Sequence, residues 1–112
     1  MAQPPIDAAV FAELQASAGD DFARELIDTF LQEAPPMLAA LRGAHAAGTA
    51  EAFRRSAHSL KSNATTFGAL GLAALARDLE LQGLAATRAE ALDVLDAEYA
   101  RVVPALEALR DG

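Results

Sequence analysis

The stretch Ala50-Glu51-Ala52-Phe53-Arg54-Arg55-Ser56-Ala57-His58-Ser59-Leu60-Lys61-Ser62-Asn63-Ala64-Thr65-Thr66-Phe67-Gly68 decides how this chain folds. Phe53, Ala57, Leu60, Ala64 and Phe67 recur at steps of four, three, four and three residues. At about 100° per residue these five hold one narrow arc of an α-helix, the stripe a helix turns toward a core. Thr49 stands ahead of it as a capping residue. Gly68 stands behind it as a stop, because glycine accepts the left-handed conformation found after helix ends. On the same count His58 lies about 140° from Phe53, Arg54 about 100°, Lys61 about 80°, Thr65 about 120° and Ser62 about 180°. The histidine therefore points away from the core, with Lys61 one turn on, Arg54 one turn back and the small Ser62 at i+4.

The flanking sequence repeats the helical theme. Alanine and leucine dominate while valine, isoleucine, tyrosine and tryptophan are scarce, which favours helix over strand. A short first helix is predicted from about Asp7 to Ala16, carrying Val10, Phe11 and Leu14. Asp20 is the expected N-cap of a second helix with Phe22, Leu26, Ile27, Phe30 and Leu31 on one stripe. Pro35 and Pro36 either start a third helix, carrying Met37, Leu38 and Leu41 and ending near Gly48, or kink the second and let it continue. The helix of His58 is followed by one from about Leu70 to Gln82, with Leu72, Leu75, Ala76 and Leu79 on one face and Gly83 at its end. Thr87 and Glu90 read as a capping box for a last helix running through Leu92, Leu95, Tyr99, Val102, Val103, Leu106 and Leu109, which Pro104 should kink or end early. Short loops between amphipathic helices make neighbours antiparallel. The expected fold is all-α: an up-down antiparallel four-helix bundle with one or two short accessory helices, forming one domain over residues 1–112 with a flexible start at 1–5.

Composition narrows the function. The 112 residues carry a formal charge of −7 and no cysteine. Disulfides, thiolate metal sites and cysteine nucleophiles are excluded. An acidic surface disfavours nucleic acid and anionic membranes as partners, since both are bound by neutralising phosphate with Lys and Arg. No apolar run approaches the ~20 residues a membrane span needs. The N-terminal residues lack the basic start and apolar run of a signal peptide, so a cytoplasmic protein is expected.

His58 is the residue with chemistry to offer. Neutral imidazole is a nucleophile near pH 7 and can carry a covalent intermediate. A phosphoryl group on the ring would bring roughly −1.5 to −2 charges. Lys61 could pair with its oxygens as a point charge, and Arg54 and Arg55 would offset the rest at longer range. The spacing suits a phosphoryl carrier. Residue types alone also fit a solvated surface histidine on an adaptor bundle without phosphoryl chemistry. A third reading makes His58 a general base oriented by Glu80, which requires a substrate pocket. His45, with no lysine three residues on, reads as a surface or packing residue.

Taken as a string, Ala57-His58-Ser59-Leu60-Lys61, Gly68 ten residues after the histidine, and Leu79-Glu80 on the next helix resemble the histidine-containing phosphotransfer (HPt) domain family. Leu26-Ile27-Asp28-Thr29-Phe30-Leu31-Gln32-Glu33-Ala34-Pro35 is similar to that family's second helix, and the likeness spans roughly Ile6 to Leu84. The resemblance implies a phosphorelay intermediate, not an ATP-using enzyme, in two-component signalling. It would exchange a phosphoryl group between His58 and the aspartate of a receiver domain, in a response regulator or a hybrid histidine kinase. By the same resemblance Lys61 supports the phosphorylated state, and Glu80 stands where a Gln or Glu orients the imidazole. Ser62 occupies a position that is usually glycine. Arg54, Ser62 and Thr65, with part of the second helix, are the expected docking residues, and Gly68 is structural. No cofactor or metal is expected in this chain, any Mg²⁺ belonging to the receiver, and a monomer is expected.

Overall fold

The apolar periodicities resolve into five helices in a computed structural model, which describes residues 3–112. They are α1 (Ala8–Ala18), α2 (Asp20–Ala47), α3 (Ala50–Thr66), α4 (Leu70–Gln82) and α5 (Ala89–Asp111), with a 3₁₀ turn at Leu84–Ala86 between the last two. Helices α2 to α5 form the up-down bundle, and α1 lies across the end where α2 begins. The core is built from Ile27, Phe30, Leu41, Phe53, Leu60, Phe67, Leu72, Leu79, Leu95, Val102 and Leu106, with alanines between them. Among the described residues no helix is long and apolar enough to cross a membrane.

Of the two alternatives at Pro35 and Pro36, the structure takes continuation: one helix runs through both prolines. Its buried stripe, Ala23, Ile27, Phe30, Ala34, Leu41 and Ala44, keeps heptad-like spacing straight through the prolines. Both prolines are exposed. The carbonyls deprived of an amide partner therefore lie on the wet side, where water can satisfy them, while Ala34 and Leu41 hold the helix to the core on either side. Pro104 is exposed in the same way and does not end α5, because Val102 and Leu106 are buried around it. Of the predicted stripe Ile27 and Phe30 are buried, but Phe22 is 46% exposed and Ala23 takes its place inside.

Three caps differ from expectation. Gly19 is the N-cap of α2, which leaves Asp20 and Asp21 in the first turn, facing the positive end of the helix dipole. Thr49 occupies the N-cap position of α3 without a side-chain bond. Thr87 forms no capping box: its buried hydroxyl donates to the Gly83 carbonyl at 2.8 Å, and Arg88 is the N-cap of α5. The side-chain cap that does form is Asp7, whose Oδ1 accepts from the amides of Ala9 and Val10 at 2.9 and 3.2 Å. Of the start expected to be flexible, Met1 and Ala2 lie outside the described residues; Arg101 donates to the Gln3 carbonyl at 2.6 Å.

Gly68 joins the two ends of this scaffold. Its φ is +78°, the left-handed region that ends α3, and its carbonyl accepts from the Asp7 amide at 2.8 Å. A Cβ at this position would stand 2.8 Å from the Asp7 carbonyl oxygen and 2.9 Å from Val10 Cβ. Only glycine meets both demands. Gly68→Ala is expected to lower unfolding stability by about 2–4 kcal/mol, read by urea denaturation. Gly43→Ala, in open space on the exposed side of α2, should raise it by about 0.5–1 kcal/mol.

Candidate functional site

Helices α3 and α4 form the most extensively packed pair in the bundle. Ala57 and Ala64 on α3, and Ala73 and Ala76 on α4, are all buried, so little side-chain bulk keeps the two backbones apart. The tight turn through Phe67, Gly68 and Ala69 makes the helices antiparallel and sets their register. Glu80 therefore arrives level with His58, although 22 residues separate them.

The Glu80 carboxylate bridges two partners. Its Oε2 accepts from His58 Nδ1 at 2.8 Å, and its Oε1 is 2.8 Å from Lys61 Nζ. The imidazole is 55% exposed, whereas the Glu80 side chain is only 15% exposed. The largely covered acid thus holds the base of an open ring. The Lys61 ammonium first, and His58 more weakly, keep the Glu80 carboxyl below the usual carboxylate range against the opposing effect of desolvation. An ionised carboxylate can only accept a hydrogen bond, so Nδ1 carries the proton of the neutral ring. The lone pair is then on Nε2, the nitrogen facing away from Glu80.

The other sequence-predicted site residues fall around this centre. Arg54, one turn before His58, is held by Glu51 on its own helix and also lies within electrostatic reach of Glu80. Ser62 is exposed one turn after His58. Thr65 donates its hydroxyl to the Lys61 carbonyl at 2.8 Å. Along α2 the register is given by the Phe30–Phe67 and His45–Phe53 ring contacts. That puts the exposed Phe22 roughly 25 Å along the bundle from His58 at 1.5 Å rise per residue, so the apolar start of α2 does not border the histidine. His45 is a packing residue: its Nε2 donates to the Thr87 carbonyl at 2.8 Å and its ring lies against Phe53.

Arg77 was not singled out by the sequence. It stands one turn before Glu80 on α4 and lines a groove of about 260 Å³ together with Lys61, Thr65, Leu70, Ala73 and Ala74. Its spacing from Glu80 was the available signal. It becomes meaningful only once α4 is known to run back along α3. The surface beside His58 is thus a row of Arg54, Lys61 and Arg77 on an acidic protein. The imidazole itself stands 55% exposed beside that row rather than enclosed.

Comparison with known proteins gives the family of the chain. The family model described as Hpt domain matches residues 25–111. Among solved structures, histidine-containing phosphotransfer protein B (HptB) from Pseudomonas aeruginosa PAO1 is similar. It shares 31% sequence identity, covering 98% of this chain and 97% of that one, with a TM-score of 0.85. No curated protein sequence matches. A helical bundle of this topology, an open imidazole held by a carboxylate from the next helix, and a family match over most of the chain lead to one assignment: the chain belongs to the Hpt domain family.

Proposed function

We propose that this protein performs its family's role, histidine phosphotransfer in phosphorelay signalling, through His58 as the phosphoryl-accepting residue, Lys61 as the cation that supports the phosphorylated state and Glu80 as the group that positions the ring. One observation carries the assignment: a carboxylate fixes Nδ1 of an exposed imidazole and engages the neighbouring lysine with its other oxygen.

The chemistry follows from that arrangement. Nε2 attacks the phosphorus of an aspartyl phosphate on a receiver domain in line with the acyl oxygen. The N–P bond forms as the P–O bond to the aspartate breaks, and the aspartate leaves as a carboxylate. No proton moves, because Nε2 carries none; the ring keeps its Nδ1 proton and acquires positive charge that Glu80 offsets. The return transfer is the same path reversed, with the carboxylate attacking phosphorus. Positioning and charge stabilisation do most of the work in phosphoryl transfer, so a stiff bundle presenting one ring is sufficient machinery. In this reading the chain is a carrier without an ATP site, one copy suffices, and the Mg²⁺ belongs to the receiver's aspartate site. Arg54, Ser62 and Thr65 border the docking face.

His58→Gln should abolish labelling by a receiver charged with acetyl phosphate, read as loss of the acid-labile, alkali-stable phosphoprotein; undiminished labelling would end the assignment. Lys61→Ala should slow transfer or shorten the lifetime of the phosphorylated form by roughly tenfold, the scale of one charge-assisted hydrogen bond. Glu80 also gives a pH signature. Its carboxyl is held below the usual carboxylate range by Lys61 first and His58 more weakly, so its contribution to stability is present above the unfolded-state value and is lost as the pH falls through the depressed one. In urea titrations between about pH 5 and pH 3, wild type should lose stability more steeply than Glu80→Gln. Parallel slopes would detach Glu80 from Lys61 and His58.

A further inference from the structure

We infer that the groove between α3 and α4 beyond Lys61 is the subsite for a carboxylate-bearing side chain of the receiver, and that Arg77 is the residue that recognises it. The inference rests on the carrier reading above and adds to it a specificity-determining residue.

Three observations converge on Arg77. Of the nine Lys and Arg residues, six are engaged by carboxylates or carbonyls of this chain: Arg24, Arg42, Arg54, Lys61, Arg101 and Arg110. Among the described residues Arg55, Arg77 and Arg88 have no such partner, and of these three Arg77, which is exposed, is the one that lines the groove. It shares that groove with Lys61 and Thr65, on the helix that supplies Glu80. The groove is floored by Ala73 and Ala74 and rimmed by Leu70, which is 42% exposed, so it has room for a side chain between two cations.

The partner's chemistry supplies the complement. Mg²⁺ takes oxygen ligands, chiefly carboxylates, water and phosphate. A receiver that holds Mg²⁺ beside its phosphorylated aspartate therefore presents further carboxylates around that aspartate. When the aspartyl phosphate meets His58, an adjacent acidic side chain is carried toward Lys61 and Arg77. Lys61 is already shared with Glu80 and with the incoming phosphoryl group. Arg77 is uncommitted and can form the fork-like pair that guanidinium makes with carboxylate. Charges at the rim of an interface act chiefly on association rate and partner choice, and salt screens them.

The test uses a panel of purified receiver domains charged with acetyl phosphate, taking forward the one that labels wild type fastest. Arg77→Gln should lower kcat/KM for labelling by roughly 3–10-fold at low salt through KM, with the difference closing near 0.5 M NaCl. It should leave the lifetime of the phosphorylated form unchanged. Arg77→Lys should recover part of the loss. Arg24→Gln removes the same charge on α2, diagonally across the bundle from α4, and should change the rate less than about twofold. The assignment is overturned if Arg77→Gln matches wild type at low salt, if Arg24→Gln loses as much, or if the defect persists at high salt. Failure of the carrier reading looks different: no receiver labels wild type, or His58→Gln labels equally, and the groove assignment falls with it.

Discussion

The Glu80 carboxylate, shared between His58 Nδ1 and Lys61 Nζ, is the interaction on which the polar face of this bundle depends. An exposed histidine on an isolated helix would rotate among rotamers and exchange tautomers. With one nitrogen tied to a largely covered acid, the ring is held with its other nitrogen outward. The same acid keeps the lysine one turn away from drifting into solvent. Three side chains from two helices thereby become one unit, and charge is balanced within it.

That unit exists only because α3 and α4 meet closely and in a fixed register. Buried alanines at 57, 64, 73 and 76 let the backbones approach, and Gly68 turns the chain in a space where a Cβ would collide with Asp7 and Val10. The accessory helix α1 is therefore tied to the site's geometry: its capping residue is bonded to the carbonyl of the glycine that ends the histidine's helix. On the other side of the bundle, α2 runs unbroken through two adjacent prolines. Burial on one face outweighs lost hydrogen bonds on the other when those bonds face water.

Charge is distributed as unevenly as packing. A net charge of −7 keeps most cations of the chain engaged by its own acids. Arg42 bridges α2 to Asp93 and Asp96 of α5, and Arg110 reaches back to Asp28. Such exposed pairs add little stability individually, but they occupy the cations that bear them. Beside His58 the pattern changes: Lys61 is shared with Glu80, while Arg55, one turn before the histidine, and Arg77 have no carboxylate partner among the described residues, so a small positive strip remains on an acidic body. Local potential, rather than net charge, is what an acidic partner meets first.

Much of this was legible in the residues themselves. The stripe Phe53, Ala57, Leu60, Ala64, Phe67 settles the helix, its buried face and the outward direction of His58, because a helix converts spacing into angle by a fixed rule. Gly68 was readable as a stop, since its freedom to adopt positive φ is intrinsic. Where several local signals competed, the tertiary structure decided. The prolines at 35, 36 and 104 would end helices in isolation, and only the core explains why they do not. Thr87 has the residue type of a cap but spends its hydroxyl on Gly83. Phe22 has the hydrophobicity of a core residue but lies one position off the stripe that packs. Arg77 was beyond reach for a related reason: helical periodicity places a side chain on its own helix, whereas a neighbour across a groove depends on the register between two helices, which their packed surfaces set.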